Sequence, residues 1–161
     1  MNKDLSLKVA ELLLKTKAVR LQPENPFTWA SGWKSPIYCD NRITLSHPSV
    51  RTYIRQKLAQ LIQEEYGAVD VIAGVATAGI PQGVLVAQEL GLPFIYVRAK
   101  AKEHGTGSLI EGEIVEGQRV VVIEDLISTG KSSLQAVEAL RNAGLSVAGL
   151  VAIFTYGFQQ A

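Results

Sequence analysis

The chain has little of what marks several large classes of protein. It contains a single cysteine, Cys39, which excludes an internal disulfide and suggests a reducing, cytoplasmic compartment. No apolar run approaches the roughly 18 residues that a membrane-spanning helix needs, and the charged first ten residues do not resemble a secretory signal. Sixteen basic residues nearly balance fifteen acidic ones, so the charge gives no reason to expect a nucleic-acid or membrane partner.

The pattern of apolar residues predicts an α/β fold. Continuous apolar segments alternate with amphipathic stretches, which is typical of a mostly parallel sheet covered by helices on both faces. An irregular or short-stranded segment is expected at 21–41, and Gly91 and Gly144 are expected to end helices. Strands are predicted at 69–73, 94–97, 120–123 and 147–154, and helices from the start to about 17, from a cap at Ser46 to about 67, and at 80–90 and 131–143.

The most informative segment follows the third predicted strand. Glu124 and Asp125 come directly after four β-branched residues, and a small, hydroxyl-rich turn then leads into a helix. Ligands of open parallel sheets bind at the carboxyl ends of the strands, where carboxylates can hold ribose hydroxyls. The amide groups of a turn and of a helix amino end can hold a phosphate. The segment therefore predicts a ligand that carries both ribose and phosphate.

Two other interpretations of this segment have to be weighed. An acidic pair after a strand can be no more than solvated charge or a helix cap, and for an arbitrary pair the odds are about even. The fully apolar strand and the run of potential phosphate donors favour a ligand site. The run Gly130–Ser132 also resembles the end of a nucleoside-triphosphate loop, but Asp125 occupies the position of that loop's first glycine, which excludes an ATPase or kinase.

Two further segments carry candidate chemistry. The glycine-rich run 74–81 lies between a predicted strand and a helix, where the backbone can approach an anion closely, although ordinary turn chemistry is an equal alternative. The loop 99–110 contains Lys100, Lys102 and His104. It is either a solvated hairpin or a lid whose cations neutralise a departing anion and exclude water.

Three segments together resemble the orotate phosphoribosyltransferases, a family of the type I phosphoribosyltransferases. Residues 124–132 are similar to the phosphoribosyl-diphosphate signature, residues 98–105 to the mobile catalytic loop, and residues 27–38 to the segment that covers the substrate. The first match alone indicates a phosphoribosyltransferase, and the other two indicate the orotate enzyme. The pieces occur in the family's order and cover nearly the whole chain.

The resemblance implies an activity and a set of site residues. The activity is Mg²⁺-dependent transfer of ribose 5-phosphate from phosphoribosyl diphosphate to orotate, which gives orotidine 5′-monophosphate in pyrimidine synthesis. Lys102, His104 and Asp125 are the implied catalytic residues, and Tyr38, Cys39 and Ser128 the implied orotate contacts. The implied donor contacts are Arg98, Lys100, Lys102, His104, Thr77, Ala78, Glu124, Asp125, Leu126, Ile127, Ser128, Thr129, Gly130, Lys131 and Ser132.

The resemblance also implies an organisation. One domain is expected over residues 1–161, with a hood to about residue 42 and the α/β core beyond it. A homodimer is expected, in which the loop 98–110 reaches the neighbouring subunit's site. Magnesium is expected to be bound by substrate oxygens and water, with no protein ligand cage.

The chain departs from the family pattern at several cations. Ala30, Ala78 and Ala99 stand where relatives have lysines, and residues 155–158 replace a segment that carries an arginine. The chain also ends earlier than family members usually do, so a shortened hood is expected. Two alternatives stay open at this point: a phosphoribosyltransferase for another base, and a non-enzymatic regulator that senses the sugar diphosphate.

Overall fold

The structure is a computed structural model that describes residues 3–29, 32–100 and 108–158. The chain forms two compact units, Met1–Ile54 and Arg55–Ala161. The expectation of a single domain with a hood to about residue 42 stays a prediction. Among the described residues, no helix is both long and apolar enough to cross a membrane.

The first unit contains a helix and two small antiparallel sheets. Strand β1 pairs with β4, and β2 pairs with β3. The prediction of short-stranded structure between residues 21 and 41 is confirmed. The elements are α1 (Lys3–Lys15), β1 (Val19–Leu21), β2 (Phe27–Thr28), β3 (Lys34–Ser35), β4 (Ile37–Cys39) and a 3-10 helix (Asn41–Ser46).

The second unit is built on a five-stranded sheet. Its strand order is β7-β6-β5-β8-β9, with β7 antiparallel to its neighbour and the other four strands parallel. The predicted fold class, a mostly parallel sheet flanked by helices, is confirmed. The strands are β5 (Val71–Val75), β6 (Phe94–Val97), β7 (Ile110–Glu111), β8 (Arg119–Ile127) and β9 (Ser146–Thr155), and the helices are α2 (Pro48–Tyr66), which begins in the first unit, α3 (Gly79–Leu90) and α4 (Lys131–Asn142).

One face of this sheet forms an apolar core with α4. Side chains of a strand alternate between its two faces, so every second residue of β5, β6 and β8 turns toward this helix. This core is a single cluster of fully or nearly fully buried side chains. Its members are Val71, Ala73, Val75, Ile95, Val97, Val120, Val122, Ala136, Leu140 and Leu145.

The predicted elements are present with differences at several ends, among them the first core strand, which was predicted at 69–73 and is observed as β5 two residues later. Gly91 has a left-handed backbone, with φ of 67°, and ends α3 as predicted. The prediction that Ser46 caps the second long helix is wrong, because Ser46 is the last residue of the 3-10 helix and α2 starts at Pro48. Helix α4 ends at Asn142, with Ala143 as its carboxyl cap and the left-handed Gly144 one residue later. The short edge strand β7 follows no apolar pattern that predicts it.

Candidate active site

The acidic pair lies on β8 beyond the point where β5 stops pairing with it. The last paired residues of β5 and β8 are Gly74 and Ile123. Strand β8 continues to Ile127 because its pairing with β9 continues, including Glu124 with Ala152. The predicted strand end at residue 123 is therefore wrong by four residues. The carboxylates nevertheless lie just beyond the carboxyl end of the central strand, β5. Ligands of open parallel sheets bind at this end of the strands.

Glu124 is held in place on both of its carboxyl oxygens. The residue is 4% exposed. The main-chain N–H of Asp125 donates to Oε1 at 3.0 Å, and the Ser133 hydroxyl donates to Oε2 at 3.2 Å. Burial, followed by the neighbouring Asp125 carboxyl, raises the pKa of Glu124 to about 8, because the charged form loses its hydration and meets a second negative group.

The hydroxyl-rich turn predicted to hold a phosphate, residues 128–130, leads directly from β8 into α4. Ser128 is half-buried, whereas Thr129, Lys131 and Ser132 are exposed. Gly130 is the N-cap residue with a left-handed φ of 74°, and it has no side chain with which to bond the first amide groups of the helix. These amides and the hydroxyls beside them suit an anion, which the positive end of the helix dipole also attracts.

A second turn lies at the same edge, between β5 and α3. A cis peptide bond joins Ala76 to Thr77, whose side chain is exposed, and Ala78 is the N-cap residue of α3. A Cβ added to Gly79 would lie 2.6 Å from the main-chain oxygen of Ile123 and 3.5 Å from the Cα of Glu124. Glycine at this position therefore brings the turn against β8 beside the acidic pair.

A cavity of about 250 Å³ lies beside the turn after β5 and the start of α4. Its lining includes Ala76 from the turn after β5, Arg98 from the start of the predicted loop, and Ser132 from the first turn of α4. Three segments that are distant in the sequence therefore meet around one space. The remaining wall is formed in part by Leu109 and by Gln135 of α4.

Arg98 lies at the base of the predicted catalytic loop. Its main-chain N–H donates to the Leu109 oxygen at 2.8 Å, and its Nη1 lies 3.4 Å from Oε1 of Glu111. These contacts join the two ends of the loop. Lys100 is exposed, while Lys102 and His104 lie outside the described residues.

The implied orotate contacts are divided between the two units. Ser128 belongs to the second unit and the other two to the first. The ring of Tyr38 lies 5.5 Å from that of Phe27, with the Arg20 guanidinium 5.0 Å from the Tyr38 ring centre. The thiol of Cys39 donates to Oδ1 of Asn41 at 3.3 Å.

Sequence reasoning missed Ser133. Its partner in the structure is Glu124, and it shares one buried stripe of α4 with Ala136 and Leu140. The spacing of three and then four residues is the signal that could have identified it, because a hydroxyl on an otherwise apolar helix face needs a polar partner.

The oxygen-bearing side chains at this edge are of the chemical kind that suits magnesium. Carboxylates and hydroxyls are the hard oxygen groups that Mg²⁺ prefers. The described residues contain no group of three or more His, Cys, Asp or Glu side chains arranged around one metal position. The expectation that magnesium is bound by substrate oxygens and water stays a prediction.

Comparison with known proteins defines the class. The family model described as "Phosphoribosyl transferase domain" matches residues 44–159. Orotate phosphoribosyltransferase from Phocaeicola vulgatus is 62% identical over 159 residues, which are 99% of this chain and 75% of that protein. The enzyme of the same name from Listeria monocytogenes is 64% identical over 149 residues, 92% of this chain and 71% of that protein.

Solved structures agree with this class. The crystal structure of orotate phosphoribosyltransferase from Aeropyrum pernix superimposes with a TM-score of 0.77 at 31% identity, over 92% of this chain and 93% of that one. This chain belongs to the phosphoribosyltransferases and, within them, to the orotate phosphoribosyltransferase family. The predictions of the family and of a pentosyl-transferring enzyme of pyrimidine synthesis are confirmed.

Proposed function

We propose that this chain transfers ribose 5-phosphate from phosphoribosyl diphosphate to orotate, at the edge of the sheet formed by β5 and β8. The observation that carries this proposal is the meeting of the acidic pair with two anion-binding turns, since Gly79 packs against β8 beside Glu124. One ligand that carries a ribose, a 5′-phosphate and a diphosphate matches all three groups.

Each part of the donor has a candidate partner. Asp125 and Glu124 bind the ribose hydroxyls, and the segment Leu126–Ser132 binds the 5′-phosphate through its amides and hydroxyls. Thr77 and Ala78 bind the diphosphate through the turn after β5. The candidate contacts for orotate are Tyr38, Cys39 and Ser128, the positions that match the family's orotate contacts.

The reaction is a displacement at C1 of the ribose. A bond forms between C1 and a ring nitrogen of orotate, while the bond from C1 to the diphosphate oxygen breaks. The nitrogen loses its proton, which leaves with the diphosphate or passes to water. Positive charge grows on the sugar, where the Asp125 carboxylate stabilises it, and negative charge grows on the departing oxygen. Mg²⁺, when bound with the donor, would neutralise further charge on the diphosphate.

The loop residues complete the proposed machinery. Arg98, Lys100, Lys102 and His104 neutralise the diphosphate, and the loop excludes water that would otherwise hydrolyse the reactive sugar centre. We further propose a cytoplasmic homodimer in which loop 98–110 of each subunit serves the other subunit's site. The support for these finer points is the resemblance of residues 98–105 to the family's catalytic loop.

A steady-state assay with orotate, phosphoribosyl diphosphate and Mg²⁺ tests the proposal. We expect formation of orotidine 5′-monophosphate with an equal amount of diphosphate. Parallel reactions with hypoxanthine and uracil test the choice of base, and faster turnover with either would refute orotate as the substrate. Tight donor binding without turnover on any base would instead indicate a sensor of the sugar diphosphate.

Sharing of the loop has its own test. A Lys102→Ala protein mixed with an Asp125→Asn protein is expected to regain activity, because a hybrid dimer contains one site with both residues intact. Equal amounts of the two variants give mixed dimers as about half of all dimers, and each mixed dimer has one intact site. Recovery near a quarter of the parental activity supports sharing, and no recovery in a mixed dimer contradicts it.

A further inference from the structure

The carboxyl of Glu124 has a partner on α4 that the proposed function does not use. Ser133 is 4% exposed, and its hydroxyl lies 3.2 Å from Oε2 of Glu124. We propose that Ser133 is a positioning residue, which orients the Glu124 carboxyl for binding of the ribose hydroxyls. This inference rests on the proposed function, because it assigns a role within the same site.

The alternation of β8 explains why these two residues meet. Val120 and Val122 belong to the core cluster that packs against α4, with Ala136 and Leu140 on the helix side. Glu124 is two residues further along the same face of the strand. Ser133 is one helical turn before Ala136 on the same buried stripe. The Glu124–Ser133 pair therefore lies next to the apolar core, on the side of the sheet where the donor is proposed to bind.

Burial makes this pair consequential. A hydroxyl placed on the apolar side of a helix costs free energy unless it is hydrogen-bonded, and so does a carboxyl without water. The Asp125 N–H bonds one carboxyl oxygen and Ser133 the other. With both oxygens engaged, rotation of the carboxyl is restricted, and its remaining lone pairs have a fixed direction.

Ser133 also affects the charge of Glu124. Donation by the hydroxyl favours the ionised carboxyl and lowers its pKa, against the larger effect of burial. The groups that face Glu124 are Asp125 on β8, which raises that pKa, Ser133 on α4 and the uncharged Gly79 on α3. Loss of the hydroxyl therefore leaves less ionised Glu124 at neutral pH and a carboxyl with less fixed orientation.

Substitution of Ser133 tests the role through donor binding and pH dependence. We expect Ser133→Ala to weaken binding of phosphoribosyl diphosphate about tenfold, the upper range for one ordinary hydrogen bond. The acidic limb of kcat/KM for the donor should move to higher pH, while KM for orotate stays within about twofold. Ser133→Thr retains the hydroxyl and should restore both values. Ser146→Ala, an exposed serine outside the site, is the matched control and should leave both unchanged.

A second substitution keeps the test independent of folding and of activity. Ser133→Cys keeps nearly the same volume with a weaker donor, so it should change donor binding in the same direction even where the alanine protein does not fold. Donor affinity is measured by titration calorimetry, which does not need turnover. Normal affinity and an unshifted pH limb in folded Ser133→Ala or Ser133→Cys would overturn the inference. Asp125→Asn is the reference: weaker donor binding there, with no change in the Ser133 variants, refutes this role and leaves the proposed function intact.

Discussion

Gly79 and Ile123 lie so close that no side chain fits between them. A Cβ built on Gly79 comes 2.6 Å from the main-chain oxygen of Ile123, a distance that real Cβ atoms essentially never show. The obstructing atom belongs to the main chain of a strand inside the sheet, which cannot move away as a flexible side chain can. This contact therefore sets how closely the turn after β5 approaches the acidic pair on β8.

We predict that Gly79→Ala destabilises the protein by about 1–3 kcal/mol, the usual cost of overpacking a core, and weakens donor binding because the turn moves away from β8. Gly83→Ala is the matched control. Its Cβ would lie 2.6 Å from a ring atom of Phe94, and a ring can shift, so the cost should be smaller. Thermal unfolding and donor titration measure both effects. A larger loss of stability at Gly83 than at Gly79 would contradict the packing argument.

The raised pKa of Glu124 predicts a pH-dependent stability. The pKa is about 8 in the folded protein against an ordinary value of 4.5, so the folded state binds the proton more tightly than the unfolded one. This stabilisation is fully present below about pH 4.5 and is lost as pH rises through 8, on the order of a few kcal/mol in total. Glu124→Gln should therefore flatten the fall in unfolding free energy between pH 5 and about 8.5, measured by urea unfolding. Glu113→Gln, at an exposed position, should retain the slope of the parent protein, and a parental slope in Glu124→Gln would refute the assignment.

The sequence was sufficient to predict the fold class because the core strands carry unbroken apolar runs. Strand β6 was predicted with its observed bounds. Gly91 was predicted to end α3 because glycine adopts the left-handed backbone that turns the chain out of a helix, and it has this backbone in the structure. Strand β7 could not be predicted, since two residues have no measurable period. Its position depends on antiparallel pairing of Glu111 with Tyr96, which is a tertiary contact.

The candidate site was predictable in its chemistry and less so in its geometry. The acidic pair and the turn at Gly130 follow from residue types alone, whereas the extension of β8 to Ile127 depends on pairing with β9, which no local pattern specifies. The 59% exposure of Trp33 could not be predicted either, because an aromatic residue in a short irregular segment carries no periodic signal of burial. The spacing of Ser133 marks it as a buried hydroxyl, but its partner Glu124 can be identified only when the buried stripe of α4 is placed against the face of β8.

Asp125 is half-buried, whereas Glu124 is buried. Removal of the Asp125 carboxylate should therefore affect binding of the sugar directly. We predict that Asp125→Asn raises KM for phosphoribosyl diphosphate and lowers kcat together, with kcat/KM about 10- to 100-fold lower, as expected for loss of a hydrogen bond to a charged group. In the proposed mechanism this carboxylate both binds ribose and stabilises positive charge, so both constants should change. Steady-state kinetics with varied donor measure them, with Glu113→Gln as the control carboxylate. Unchanged kinetics would mean that Asp125 is only solvated charge.

Lys102 is predicted to act on the departing diphosphate rather than on binding of the donor. The negative charge on the leaving oxygen grows only as the bond to C1 breaks, so a cation placed there contributes more in the transition state than in the ground state. Lys102→Ala should lower kcat by about 10²- to 10³-fold, the range for removal of one group that stabilises a developing anion, while donor affinity changes by only a few-fold. Single-turnover kinetics and donor titration separate the two quantities, and Lys15→Ala, at an exposed position of α1, is the matched lysine control. A loss of donor affinity large enough to account for the whole rate change would contradict this role. The interaction would then already be complete before the bond breaks, and Lys102 would serve ordinary donor binding.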